Sequence, residues 1–243
     1  MKYGVITDVH GNILALNAVL EELEKRKVDR IICCGDIVGI GPRSEEAVQK
    51  LKQIRDKLIA VRGNHEQYIL KAIPEKIHGR DISEDEIGFH KWTRSHVSND
   101  AKAFLESLPF EQIIEDDGKK IYVAHYAYGE NDKFKDFIMS PNIQESEELF
   151  SEVDADVYLF GHTHVKTFNK SKGKWYINPG SLGCPKDTNI ACCGVLNIDA
   201  NNIDFEELQV EYDKEAVVQE LLNIKYPYYQ VILDIFFGNK PVQ

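Results

Sequence analysis

Cysteine is scarce and poorly placed for cross-linking. The five in 243 residues (Cys33, Cys34, Cys184, Cys192 and Cys193) form an odd set with two adjacent pairs and no C-x-x-C spacing. That argues against a disulfide scaffold or a zinc ribbon and sets the expectation of a reducing cytoplasm. Positive charge is the minority sign, 29 Lys and Arg against 40 Asp and Glu for a net −11, and the basic residues do not cluster. Such a chain repels a long nucleic-acid backbone, whereas a small anionic substrate is acceptable where a cation neutralises it. No apolar run approaches the ~20 residues that span a bilayer. The opening MKYGVITD also lacks the basic-then-apolar order of a secretory signal, so neither membrane insertion nor secretion is expected. Low-complexity linkers and internal repeats are missing too, which points to one domain over 1–243. With 43% hydrophobic residues, the chain has material for a full core.

The apolar pattern places the elements. Residues 3–7 are a β-prone run, after which Ile13, Leu16, Val19, Leu20 and Leu23 recur on one helical face. Residues 30–34 make a second strand, followed by a Gly-rich loop and a helix with Ser44 as N-cap; residues 58–61 make a third. Three β–α units in a row predict a parallel sheet. Residues 65–109 read as mostly helical, with capping-box spacing at Ser83 and Glu86 and a second cap at Ser98, a segment suited to act as a cap over a site. Strands return at 111–115, 119–124, 157–160, 164–169, 174–177, 191–198 and 203–210, and a helix at 213–224 precedes an apolar tail at 226–237. This order suggests an α/β fold of two sheets packed face to face and covered by helices.

Chemistry concentrates where the strands end. Asp8-Val9-His10 follows the first run, Gly35-Asp36 the second and Gly63-Asn64-His65-Glu66 the third. Later runs end in His125, in Gly161-His162-Thr163-His164 and in the turn signal Asn178-Pro179-Gly180-Ser181. Five of the eight histidines fall in these loops, and the carboxyl ends of strands are where open α/β sheets build ligand sites. Asp8, His10, Asp36, Asn64, His125, His162 and His164 are hard-to-borderline donors without a thiolate, a set that suits Mn²⁺, Fe, Co²⁺, Ni²⁺ or Zn²⁺. Seven donors exceed the roughly four of a tetrahedral zinc and match two cations ~3.5–4 Å apart sharing a carboxylate. Any one of these histidines alone is more often a hydrogen-bonded residue than a ligand; the coincidence of motifs carries the inference. His162 and His164 can reach separate targets through a splayed turn or through same-face spacing in an extended segment. Arg43, Arg62 and Arg94 are candidate phosphate contacts. Tyr126, Tyr128, Phe89 and Trp92 are candidate stacking partners for a nucleobase, with core packing the plainer role for Phe89 and Trp92.

The order Asp8-x-His10, Gly35-Asp36, Gly63-Asn64-His65-Glu66, His125, Gly161-His162-x-His164 resembles the calcineurin-like metallophosphoesterase superfamily over residues 1 to about 181. Residues 8–12 and 35–42 look like its small bacterial and archaeal phosphodiesterase branch. The resemblance implies a four-layer α/β/β/α sandwich of two mixed sheets flanked by helices, with two metal ions, Mn²⁺ foremost. It implies one ion on Asp8, His10, Asp36 and His164 and the other on Asp36, Asn64, His125 and His162, with Asp36 shared. It also implies hydroxide attack on a phosphodiester or phosphoanhydride of a small, nucleotide-type substrate. His65 would stabilise the transition state or protonate the leaving oxygen; a third-ligand or loop hydrogen-bonding role is the alternative. The family's fourth motif usually reads His-Gly, whereas Tyr126 follows His125 here, which alters the loop beside the second ion. The rival readings are a phosphomonoesterase, protein phosphatases included, and a metal-stabilised scaffold without catalysis. A scaffold predicts lost ligands, and this sequence keeps them all.

Overall fold

The computed structural model describes residues 1–77, 80–129, 134–186, 188–200 and 202–238; residues 78–79 of the expected cap segment lie outside these. The chain begins β1 (Lys2–Ile6), α1 (Ile13–Lys25), β2 (Arg30–Cys33), α2 (Ser44–Gln53), β3 (Leu58–Ala60) and α3 (Asn64–Leu70). A short hairpin, β4 (Lys76–Ile77) and β5 (Arg80–Asp81), leads into α4 (Glu84–His96) and α5 (Asn99–Ser107). There follow β6 (Glu111–Asp116), β7 (Lys119–Ala124), α6 (Ile143–Leu149), β8 (Val157–Leu159), β9 (Thr167–Ser171) and β10 (Lys174–Asn178). The long hairpin β11 (Ile190–Asp199) and β12 (Asn202–Glu211) and the helices α7 (Lys214–Asn223) and α8 (Tyr229–Phe237) complete the described chain.

Two five-stranded sheets result, ordered β12-β11-β1-β2-β3 and β6-β7-β8-β10-β9. In the first, β1, β2 and β3 run parallel as the β–α repeats predict, but β11 joins β1 antiparallel, so the sheet is mixed. Period-two alternation decides which face each side chain takes. Ile121 and Val123 of β7, Val157 and Leu159 of β8, and Trp175 and Ile177 of β10 meet Tyr3, Val5, Ile32 and Ile59 of the first sheet in one buried cluster. The intervening Tyr122, Tyr158 and Tyr176 face outward under α6, with Leu149 and Phe150. Helices α1, α2, α4, α5, α7 and α8 cover the other face of the first sheet through residues such as Leu16, Leu51, Phe89, Leu105, Leu221 and Phe237. The architecture is the four-layer α/β/β/α sandwich, each fully buried aliphatic side chain contributing about 1.5–3 kcal/mol.

Several local expectations change. Ser44 is the first helical residue of α2 and Arg43 the cap position. The Ser44 hydroxyl instead accepts the Gly39 N–H at 3.0 Å, bracing the loop after β2. At α4, Ser83 caps through the Glu86 N–H, but the Glu86 carboxylate turns to Arg80 (2.8 and 2.9 Å), so the box is not closed. Strand β9 starts at Thr167 rather than 164, and the apolar tail is the helix α8. Helix α6 is an element beyond those expected, opened by a closed capping box of Asn142 and Glu145.

Asn12 ties the first helix to the site. Its side-chain oxygen caps α1 through the Ala15 N–H (3.1 Å), while its amide donates to the Gly183 carbonyl (2.9 Å), all of it buried. Asn12→Ala removes the cap and strands that carbonyl, with an expected loss of about 2–4 kcal/mol in urea unfolding.

Candidate metal centre

The loops at the strand ends continue the sheet pairing. Asp8, His10 and Gly11 N–H groups donate to the Gly35, Asp36 and Ile37 carbonyls at 3.1, 2.9 and 2.8 Å, so the loops after β1 and β2 run side by side. In the second sheet the Gly161 N–H donates to the His125 carbonyl at 2.9 Å. Asp8 joins the two sheets: its carboxylate accepts from the His162 N–H (3.1 Å) and the Thr7 hydroxyl (2.9 Å), and its carbonyl accepts from the Ser181 hydroxyl (3.0 Å). The turn signal therefore supports the site. Asn178 donates to the Gly161 carbonyl (2.8 Å) and its oxygen accepts the Gly180 N–H (2.9 Å).

The backbone is strained at the donors. Asp8, His10, Asp36, His162 and His164 all have positive φ (53°, 48°, 52°, 72° and 60°), a region that costs a non-glycine residue on the order of 1–3 kcal/mol when fully strained and that Asp and His tolerate better than most. Of the two geometries open to His162-x-His164, the splayed turn is the one present. Gly63 and Gly161 are needed for a different reason: a Cβ on either would overlap the Asp36 or the Thr7 and Asp8 side chains.

All seven expected donors converge, in two groups. His10 Nε2 lies 2.9 Å from His164 Nε2, and Asp8 Oδ1 lies 3.5 Å from His164 Nε2. In the other group Asn64 Oδ1 is 3.1 Å from His125 Nε2 and 3.0 Å from His162 Nδ1. Asp36 Oδ2 sits between them, 3.8 Å from His10 Nε2 and 3.2 Å from His125 Nε2. The tautomers follow from what each ring touches. His10 Nδ1 faces the Val38 carbonyl (3.2 Å) and His125 Nδ1 the Cys34 carbonyl (2.8 Å). A carbonyl only accepts, so Nδ1 carries the proton and Nε2 is the atom turned to the cluster, the arrangement that orients imidazole ligands of metals.

Electrostatics set what the cluster can hold. Asp8 and Asp36 are buried, and among the described residues their ion-pairing partners are histidines alone. Burial raises the Asp8 pKa against the pull of His164 and His125. At Asp36 burial acts in the same direction but is outweighed by His125 and His65, which hold it well below the usual carboxylate range. Burial keeps His10 neutral, outweighing Asp36. Burial also opposes charge on His125, yet Asp36 and Asp8 push it up to about 9. In the cation-free protein, then, a proton on His125 offsets the carboxylates. The donor chemistry fits divalent cations.

His65 follows Asn64 on α3, with its N–H donating to Asp36 Oδ1 (2.9 Å) and its ring 4.8 Å from that of His10. Its ring also packs against His90 (5.4 Å), a buried residue that no motif marks. Two further residues were missed. The Glu66 carboxylate accepts four N–H groups, from Gly63 (2.7 Å), Asp36 (2.9 Å), Ile37 (2.8 Å) and Val38 (3.1 Å), locking the Asp36 loop to α3; the Gly63-to-Glu66 capping spacing is its signal. Cys184 brings a sulfur into a group with His10 and His164 whose ligand atoms all lie within 4.8 Å of one another.

The other candidates are engaged with partners of their own, although the Tyr126 ring also packs on His162 at 5.3 Å. Arg43 is held by Glu220 (2.8 Å), Arg62 lies over the Phe110 ring (4.3 Å) and Arg94 donates to the Lys71 carbonyl (2.9 Å). Tyr126 is wholly buried, its hydroxyl accepting the Ile138 N–H (2.8 Å), so it offers no stacking face. Phe89 is core and Trp92 packs against that core. Tyr128 stacks with Phe134, 4.7 Å away.

A sandwich of two sheets with carboxylates, imidazoles and an amide gathered at the strand ends is the framework of a hydrolytic metal centre. The calcineurin-like phosphoesterase superfamily domain matches residues 1–201, ending before α7 and α8. The chain belongs to that superfamily. It is 28% identical to an uncharacterized protein of Methanocaldococcus jannaschii over 92% of this chain and 93% of that one. It is 23% identical to the phosphodiesterase YfcE of Escherichia coli over 84% and 91%. The crystal structure of a metallophosphoesterase from Sphaerobacter thermophilus superposes with a TM-score of 0.75 at 24% identity, covering 98% of this chain and 100% of that one.

If a cation replaces the proton on His125, loading Mn²⁺ at pH 7 releases about one proton per protein. Calorimetry in buffers of different ionisation enthalpy measures this, and His125→Gln is expected to lose most of the release.

Proposed function

We propose that this chain is a dimetal-dependent phosphoesterase that hydrolyses a phosphodiester or phosphoanhydride of a small, nucleotide-type compound. The observation that carries the reading is the packing of four imidazoles and one amide around two buried carboxylates, with His10 and His125 each anchored at Nδ1 by a backbone carbonyl. Asp8, His10, Asp36 and His164 would hold one cation and Asp36, Asn64, His125 and His162 the other. Mn²⁺ is the first choice, with Fe, Zn²⁺, Ni²⁺ or Co²⁺ also suited to the donors. Bound there, such ions supply Lewis acidity to the phosphate oxygens and make a water acidic enough to attack near neutral pH.

The chain's own residues do the rest. Asp36 is held by the His65 N–H on one oxygen while the other faces the cluster. Burial lowers the His65 pKa, with Asp36 opposing, so its imidazole is neutral near pH 7. That favours a hydrogen bond to the phosphate or leaving oxygen over delivery of a full proton. A diester is favoured over a monoester by charge. A monoester carries close to two negative charges at neutral pH, and among the described residues no arginine or lysine pairs with the cluster. The named phosphodiesterase relative points the same way. Among the described residues no helix is long and apolar enough to cross a membrane, and the five cysteines are unpaired, which suits a cytoplasmic enzyme.

With Mn²⁺, kcat/KM for bis-p-nitrophenyl phosphate is expected to exceed that for p-nitrophenyl phosphate; the reverse order makes the chain a monoesterase. Asp36→Asn is expected to lose both metal, by elemental analysis, and turnover. His65→Ala keeps its metal and turns over ~10²–10³-fold more slowly, the scale of one lost hydrogen-bond donor; if metal is lost instead, His65 is a ligand.

A further inference from the structure

The two proposed cation positions leave one neighbouring ligand atom unused. The Cys184 sulfur forms a group with one ring nitrogen each of His10 and His164, and these three atoms all lie within 4.8 Å of one another. His10 and Cys184 are more than nine-tenths buried, at 1% and 5% exposed. With the His10 proton on Nδ1, facing the Val38 carbonyl, the lone pair of Nε2 is the part turned to this group. Two further groups of this kind occur among the described residues, His10 with Asp36 and His65, and Asp8 with Asp36 and His125; both offer only nitrogen and oxygen. Cys33, Cys34 and Cys193 are buried as well, but among the described residues none joins such a group. The backbone fixes the sulfur in place. The Leu182 and Gly183 N–H groups donate to the Thr7 and Asp8 carbonyls at 3.0 and 2.9 Å. The Cys184 N–H donates to the Ser181 hydroxyl at 2.9 Å, and that hydroxyl donates to the Asp8 carbonyl. A Cβ on Gly183 would lie 2.0 Å from the Val9 carbonyl oxygen, so only glycine lets this loop come so near the metal-ligand loop. A cavity of about 470 Å³ bordered by His164, Ser181 and Cys184 gives small ions a path to the sulfur.

We propose that Cys184 is a sulfur ligand to the cation held by His10 and His164 and makes the two metal positions chemically unequal, a reading that rests on the dimetal function above. A thiolate suits Zn²⁺ or Co²⁺ better than Mn²⁺, whereas the position of Asp36, Asn64, His125 and His162 has nitrogen and oxygen donors alone and accepts the harder ion. Coordination exchanges the thiol proton, which passes to solvent, for the metal ion, with no change of oxidation state. A buried cysteine that only fills space, the plainer use of the residue, gives no metal–sulfur signal.

The test is the near-ultraviolet absorption of the protein loaded with Co²⁺, where a sulfur ligand gives an intense thiolate-to-cobalt charge-transfer band and nitrogen and oxygen ligands give none. The wild type is expected to show the band. Cys184→Ser is expected to bind cobalt without it, and Cys192→Ser, at a half-buried cysteine outside the group, to keep it. By competition with a chromogenic chelator, Cys184→Ser is expected to bind Zn²⁺ about tenfold or more weakly, at least the scale of losing a ligand's outer partner, while Mn²⁺ affinity moves less than about threefold. Cobalt bound by the wild type without the band, or a band that survives Cys184→Ser, overturns the proposal; the first of these needs no variant to fold. The two readings fail separately. Hydrolysis of bis-p-nitrophenyl phosphate by a protein lacking the band removes only the sulfur ligand, and the band without hydrolysis removes only the phosphoesterase reading. A chain that binds no cobalt removes both.

Discussion

Two carboxylates buried at the seam between the sheets, with only histidines as ion-pairing partners among the described residues, set the terms for everything near them. An isolated buried carboxylate costs several kcal/mol unless something positive or proton-donating meets it. The chain meets Asp8 with the Thr7 hydroxyl and the His162 N–H, and Asp36 with the His65 N–H. Hydrogen bonds account for part of the charge, and the histidines surrounding the remaining oxygens account for the rest only by taking up protons. His125 does so, at about 9; His10, kept neutral by burial, does not. The anionic centre is thus compensated incompletely by the chain itself, and its donors suit divalent cations without any further residue.

A third carboxylate nearby behaves differently because its surroundings differ. Glu66 is wholly buried, and burial together with Asp36 raises its pKa to about 7, against the pull of its backbone donors. Its oxygens are occupied by four N–H groups, so it has little capacity left for a cation. Glu66 therefore positions and Asp36 faces the cluster, a division of labour that residue type alone does not reveal. The positive φ at Asp36 is held in place from both sides, by Glu66 on its N–H and by the His10 N–H on its carbonyl. Strain at the donors is thereby carried by bonds made outside the cluster.

How much of this the sequence displays depends on the range of the interaction. Strand runs and helical faces are local patterns, and the sandwich follows from them, as does the gathering of Asp8, Asp36 and the histidines at strand ends. Residues whose behaviour depends on distant partners were not legible. Arg43 reads as a free cation until Glu220, 177 positions away, takes it. Tyr126 reads as a stacking face until the Ile138 N–H and the outer core enclose it. Ser44 reads as a cap because that is its commonest use near a helix start, but the Gly39 N–H competes for the same hydroxyl. Helix α6 carries a capping box at Asn142 and Glu145, but its seven residues are too few to display a period.

The placement of the centre has one more consequence. The first sheet and its loops supply Asp8, His10, Asp36 and Asn64, and the second supplies His125, His162 and His164. Neither sheet alone presents a complete set for either group, because Asp8 faces His164 and Asn64 faces His125 across the seam. The contacts that bring the halves together include the apolar face-to-face packing, the bonds through Asp8 and Ser181, and the bond of His125 Nδ1 to the Cys34 carbonyl. Donor geometry and sheet packing are therefore one equilibrium. Any cation bound by both halves adds its binding free energy to the docking of the sheets, and any loss of packing at the seam is felt first as weaker cation binding.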